Sequence, residues 1–145
     1  AIRTELSTLI KTKAKNWAVG LVDAKELDKV GLTTATELAM KQAIDALTCL
    51  PDYLLLDYVP IDSWEQPYQL IKQGDSSSYS IAAASIIAKV HRDQIMTKID
   101  SEYPEYDFAS NKGYGTKVHM EALSKYGPCD IHRRSFSPVQ RAENK

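Results

Sequence analysis

A chain of 145 residues with 43% apolar and 26% charged residues and a net charge of −1 has the balance of an ordinary globular protein, which excludes disordered and fibrous classes. Its length suits one domain that buries roughly two thirds of the unfolded surface. No uncharged apolar run reaches about 18 residues, and no basic segment followed by an apolar one opens the chain, so neither a membrane span nor a signal peptide is indicated and the cytoplasm is the default compartment.

In chain order, residues 2–15 carry Leu6, Leu9, Ile10 and Ala14 at helical spacing and predict a short amphipathic helix. No capping residue precedes it, so a segment upstream of Ala1 is expected. Residues 17–22, WAVGLV, predict a strand, and residues 24–30 a helix of one or two turns ended by Gly31. Thr34-x-x-Glu37 has the form of a capping box, followed by Met40, Ala43, Ile44 and Leu47 on one face, with Pro51 as the stop. Residues 53–56 then predict a compact apolar strand ending in Asp57, residues 60–67 a loop, and residues 68–72 a strand leading to Gly74 and Asp75.

The next stretch, GDSSSYSIAAASIIAKVHRD at 74–93, organises the rest. Asp75 and the serines after it offer N-cap oxygens, so a helix is expected to start near 76–78 and run to about Glu102, with Pro104 closing it. Between Ile81 and Val90 it is apolar or small on nearly every face, the pattern of an enclosed helix. Residues 105–113 read as an aromatic and polar loop. KGYGT at 112–116 leads into a helix at 116–126 that Gly127-Pro128 terminates. The tail IHRRSFSPV is too rich in branched and aromatic residues to be a linker, and a single domain over 1–140 with a frayed end at 141–145 follows. Helices alternating with short strands give an α/β layer architecture.

Two carboxylates draw attention. Asp57 stands at the C-terminal end of a buried-type strand, where ligands gather in open α/β sheets, and Asp75 at the mouth of a rigid helix. Each taken alone also reads as a cap. Taken together they can share a divalent cation that keeps waters for a phosphate substrate. Residues 111–145 hold seven Lys or Arg against three acids, a local basic patch compatible with a phosphate backbone or with plain solvated surface. In it, Arg133 and Arg134 can clamp phosphate, and Tyr114, between two glycines, can stack on a sugar or base. Cys49 and Cys129 form no CxxC or Cys/His cluster and read as thiols. His91, His119 and His132 have no zinc-like spacing.

The blocks GDSSSYSIAAASIIAKVHRD, YPEYDFASNKGYGT and YGPCDIHRRSFSPV, with LAMKQAI and LLLD upstream, resemble bacterial ribonuclease HII, the type 2 ribonuclease H, over almost the whole chain. The resemblance implies an α/β ribonuclease H-like mixed sheet flanked by helices. It also implies a metal-dependent endonuclease that cleaves the RNA strand of RNA/DNA hybrids, or 5′ to a ribonucleotide embedded in duplex DNA, with four carboxylates holding two Mg²⁺ or Mn²⁺ ions. Asp57 and Asp75 match the third and fourth of these. Tyr114 matches the tyrosine that stacks on the sugar at the junction, and Lys89, Lys112, Arg133 and Arg134 are the basic side chains expected near substrate. A pair of cations neutralises both the attacking and the departing oxygen of an in-line displacement, and the 2′-OH is what separates RNA from DNA.

The family's opening Asp-Glu pair and Gly-Arg-Gly segment are not found in these residues, so an N-terminally incomplete domain is expected, whose complete form is a monomer. A catalytically inactive nucleic-acid-binding fragment is the competing expectation. Smaller departures are Tyr58, where the family tends to have glycine, Ser77, where lysine is frequent, and Asn111, where histidine often precedes KGYG.

Overall fold

The computed structural model describes residues 2–62 and 64–144. In order, the elements are α1 (Ile2–Lys13), α2 (Ala24–Val30), α3 (Leu32–Asp45), β1 (Leu54–Leu56), β2 (Tyr68–Leu70), α4 (Gly74–Ser77), α5 (Tyr79–Ile99), a 3-10 turn at Pro104–Tyr106, α6 (Phe108–Asn111), α7 (Lys117–Tyr126) and α8 (Ser137–Glu143). Contacts divide them into two compact units. One holds the residues up to Val22 with Leu32–Val90, the other Asp23–Gly31 with the residues from His91 onward.

In the first unit β1 and β2 pair in parallel, with Leu54, Leu55 and Leu56 opposite Tyr68, Gln69 and Leu70. Among the described residues this is the whole sheet. The mixed pairing implied by the resemblance is not among them. Ile44 of α3, Leu56 and Ile61 form the core, with Met40, Leu54 and Trp64 against it. The Asp62 N–H donates to Glu37 Oε1 at 2.9 Å, which ties the β1–β2 connection to α3. Glu37 is therefore not half of a capping box: α3 begins at Leu32, directly after Gly31, and Thr34 lies inside its first turn.

Residues 16–23 belong to no helix or strand, contrary to the strand predicted for 17–22. A strand needs a ladder, and here the Leu21 N–H goes to the Gln42 side chain instead. Gly20 permits that approach. A Cβ built on it would lie 1.8 Å from the Ala39 carbonyl oxygen of α3.

The central helix also departs from expectation. It breaks at Ser78, which is extended at φ −126° and ψ 122°, so α4 is a separate turn and α5 starts at Tyr79. Asp75 lies in the first turn of α4 and is not its N-cap. That position belongs to Gln73, left-handed at φ 54°. Nor is α5 enclosed: Ile81, Ile87 and Val90 are buried, while Ala84 and Ala88 stay exposed with Ser80 on the face they share. Alanines make a helix apolar without committing any one face to burial.

The second unit packs Tyr106, Phe108 and Ala122 together with Met96, Ile99, Tyr103, Cys129 and Ile131. The Tyr106 and Phe108 rings stack at 5.3 Å between centroids. Asp28 of α2 accepts the N–H groups of Arg134 and Ser135 and the Ser135 hydroxyl. Burial works against ionisation there, yet these bonds hold the Asp28 carboxyl below its ordinary range. Helix α8 continues to Glu143, past the point where a frayed end is expected.

Candidate active site

The candidate site is built at the C-terminal end of β1. Asp57 is the first residue beyond the strand, and its Oδ1 accepts the Gly74 N–H at 2.9 Å. Gly74 opens α4, so the residue after it, Asp75, lies one position from the group that Asp57 holds. Two features of sequence make this possible. Tyr58 turns left-handed at φ 62°, which bends the chain away from the sheet immediately after Asp57. Gly74 has no side chain where a Cβ would meet Ile81 Cδ1 at 2.5 Å and Asp57 Oδ1 at 3.4 Å.

Both carboxylates are exposed. Asp57 Oδ2 has no partner among the described residues. Asp75 Oδ2 lies 3.9 Å from Lys89 Nζ, and Asp75 Oδ1 takes the Ser76 hydroxyl at 3.3 Å. Lys89 thus stands nearly three turns along α5 with its ammonium directed at an anion. The donor set is hard oxygen on two neighbouring rigid elements, the chemistry that suits a hydrated divalent cation. Among the described residues no cluster of three or more His, Cys, Asp or Glu side chains could hold a metal.

In the second unit the 112–116 loop presents Tyr114. Lys112 is left-handed at φ 52° and Gly113 at φ 77°, and the Tyr114 ring stands 62% exposed with the Arg92 guanidinium 5.0 Å from its centroid. Lys112 Nζ is spent on Thr97 Oγ1 and the Ala109 carbonyl.

The family model described as Ribonuclease HII matches residues 1–139. The chain belongs to the ribonuclease HII family. Proteins named ribonuclease HII from Dehalococcoides mccartyi, Clostridioides difficile and Listeria monocytogenes are 46% identical over 140 residues, 51% over 136 and 49% over 143. The matches cover 97%, 94% and 99% of this chain, which spans 66%, 53% and 54% of those relatives' own lengths. The crystal structure of ribonuclease H2 from Pyrococcus horikoshii OT3 superposes with a TM-score of 0.83 at 22% identity, over 99% of this chain and 75% of that one. That likeness shows the α/β ribonuclease H-like fold.

Within this chain, the residues singled out in the sequence fall into three groups. At the β1 end Asp57 accepts the Gly74 N–H, and Asp75, the next residue, faces Lys89, while Lys112 and Tyr114 share the 112–116 loop. Arg133 sits over the Phe136 ring at 4.6 Å, and the exposed Arg134 pairs with Glu143. Sequence reasoning missed Gly74 as the donor to Asp57 and Arg92 as the cation on Tyr114. Gly74 was visible as a glycine before a helix. Arg92 carried no local signal, because it lies 22 positions from its ring.

Proposed function

We propose that this chain carries part of a metal-dependent endonuclease site that cleaves the RNA strand of RNA/DNA hybrids and the phosphodiester 5′ to a ribonucleotide in duplex DNA. The observation that carries the reading is the seating of Asp57 on the Gly74 N–H, next to Asp75. In the proposed roles Asp57 and Asp75 are metal ligands, with Mg²⁺ or Mn²⁺ as the cation and the remaining family carboxylates supplied from outside these residues. When bound, such cations supply positive charge to the attacking and leaving oxygens of an in-line displacement.

The protein's own part is positional. The Gly74 N–H fixes one oxygen of Asp57 and leaves the other available. Lys89 offsets the charge of Asp75, so that two carboxylates do not by themselves repel a polyanion. Tyr114 offers an exposed ring to a sugar, with Arg92 behind it adding a cation near the phosphates. Lys112, already bonded inside its loop, serves the loop's shape more than the substrate.

The test is cleavage of a duplex holding one ribonucleotide, with Mg²⁺ or Mn²⁺, by this chain and by a longer form that adds the family's Asp-Glu and Gly-Arg-Gly segments. Cleavage by the longer form is expected. Its failure to cut would sink the enzyme reading. In the active form Asp75→Asn should lower turnover at least about a hundredfold, the scale of losing a catalytic electrostatic group, with duplex affinity largely kept. Retained turnover would remove Asp75 from its role. A second reading, duplex binding without cleavage, is favoured for this chain alone because only Asp57 and Asp75 match the four carboxylates that the resemblance implies.

A further inference from the structure

Three residues that the proposed nuclease chemistry does not use, the buried His119 and His132 and the half-buried Cys129, form a polar chain in the second unit. The Cys129 N–H donates to His132 Nδ1 at 3.1 Å, with the Cys129 thiol also 3.1 Å away. His132 Nε2 lies 3.1 Å from His119 Nε2, and His119 Nδ1 lies 2.9 Å from the Tyr114 carbonyl oxygen. Both histidines are buried. They lie against the Tyr106 and Phe108 rings, and the Tyr106 hydroxyl is given to the Gly127 carbonyl, so it does not compete for them.

The protons on this chain can be assigned from one end. An amide N–H is always a donor, so His132 Nδ1 must be the bare nitrogen and the neutral ring carries its proton on Nε2. That proton faces His119 Nε2, which must then accept. The His119 proton is left on Nδ1, where it is donated to the Tyr114 carbonyl. This one arrangement satisfies the amide link, the contact between the two rings and the link to the Tyr114 carbonyl. Any other tautomer sets two N–H groups, or two lone pairs, against each other in a dry site, where an unmet polar group is costly.

We infer that this ordered chain is a positioning device for Tyr114, in which His119 and His132 hold the 112–116 loop so that the exposed ring is presented to the ribonucleotide sugar. The inference rests on the reading of Tyr114 given above. The loop is held from its other side by Asn111, whose Oδ1 accepts the Gly113 N–H, whose backbone carbonyl accepts the Tyr114 N–H and whose Nδ2 donates to the Tyr106 carbonyl. The backbone is thus pinned by two buried groups while the ring itself stays free, an arrangement suited to presenting a side chain.

A second proton breaks the device at either ring. On His132 it goes to Nδ1 and opposes the Cys129 N–H. On His119 it goes to Nε2 and opposes the His132 Nε2–H. Burial, followed by the neighbouring His119, keeps His132 neutral down to about 4. Burial likewise raises the Cys129 thiol, with Glu105 and Asp130 acting in the same direction. On α7 the charged groups Lys117, Glu121 and Lys125 are exposed, the first two pairing with each other.

The experiment uses the full chain labelled with ¹⁵N-histidine. Two-bond ¹H–¹⁵N correlations should give His132 as the Nε2–H tautomer and His119 as the Nδ1–H tautomer, and the opposite assignment at either ring overturns the proposal. His119→Leu removes the donor to Tyr114, whereas His119→Asn keeps an N–H near the Nδ1 position. The Leu variant should exchange its Gly113, Tyr114 and Thr116 amides about fivefold faster, the weight of one ordinary hydrogen bond, with the Asn variant close to the parent. Equal exchange in parent and Leu variant overturns the proposal, and should the Leu variant not fold, an Asn variant that exchanges these amides about fivefold faster than the parent does the same. Affinity for a duplex with one ribonucleotide, set against the all-DNA duplex by fluorescence anisotropy without metal, should lose its preference in the Leu variant alone. A loosened loop with the preference intact overturns the substrate half of the inference, and assigns the failure to Tyr114 rather than to the histidines.

Discussion

Tyr58 shows how one residue shapes the candidate site. It follows Asp57 directly and sits at φ 62°, with its N–H on the Leu56 carbonyl and the Val59 N–H on the Asp57 carbonyl. A left-handed conformation costs an L side chain roughly 1–2 kcal/mol, which glycine avoids. The Tyr58 side chain is 65% exposed and gains little by packing. Tyr58→Gly should therefore stabilise the fold by about 0.5–1 kcal/mol, after the extra entropy that glycine gives the unfolded chain. Urea denaturation reads this directly, and a lower midpoint for the glycine variant would mean that the turn is held by contacts of the tyrosine. Asp57 itself could be picked out from its place after an apolar run. Its partner, the N–H of Gly74, could not, because backbone donors carry no sequence signature.

At the scale of elements, local chemistry was readable wherever a single signal stood unopposed. Gly31 ends α2 at φ 82° as expected, and Thr116 caps α7 by accepting the His119 N–H. Thr34-x-x-Glu37 failed because Gly31 had already released the chain into a helix at Leu32, and a cap motif inside a helix has no free donors to satisfy. The WAVGLV stretch failed for a different reason. Strand propensity describes a fit to a pleated neighbour, and what these residues meet is α3. Gly20 is where the two backbones come closest, with the position of a Cβ only 1.8 Å from the Ala39 carbonyl oxygen and 2.9 Å from the Ala43 nitrogen. Backbone atoms of a helix cannot step aside as a flexible side chain would. Gly20→Ala should cost at least about 2 kcal/mol, in the range of an overpacked core, and should lower the thermal midpoint accordingly. A variant as stable as the parent would show that residues 16–23 are free to lift from α3.

For the whole molecule, family blocks read in order pointed to the fold, and residue spacing did not, since the two compact units interleave in sequence and α2 belongs with the residues after His91. The His119, His132 and Cys129 chain illustrates why. Thirteen positions separate the two rings, and only folding makes them neighbours, so neither shows any ligand-like spacing along the sequence. Its consequence is a property of the entire folding equilibrium. Burial holds His132 at about 4 in the folded state, below its ordinary 6.5. The unfolded chain therefore binds a proton more readily between these values, and stability must fall as pH falls through that window. The contribution is complete above about 6.5 and is lost progressively toward 4. Between pH 7 and pH 5 this one group should remove on the order of 2 kcal/mol from the stability. Carboxylates titrate in the lower part of the same range, so the comparison needs His132→Gln, which keeps an N–H near Nε2 but cannot take up the proton. Urea midpoints at pH 7, 6 and 5 should converge for the two proteins as the pH falls, because only the parent loses the histidine contribution. Parallel pH dependences would place the proton uptake of unfolding on other groups and leave His132 titrating as an exposed histidine does.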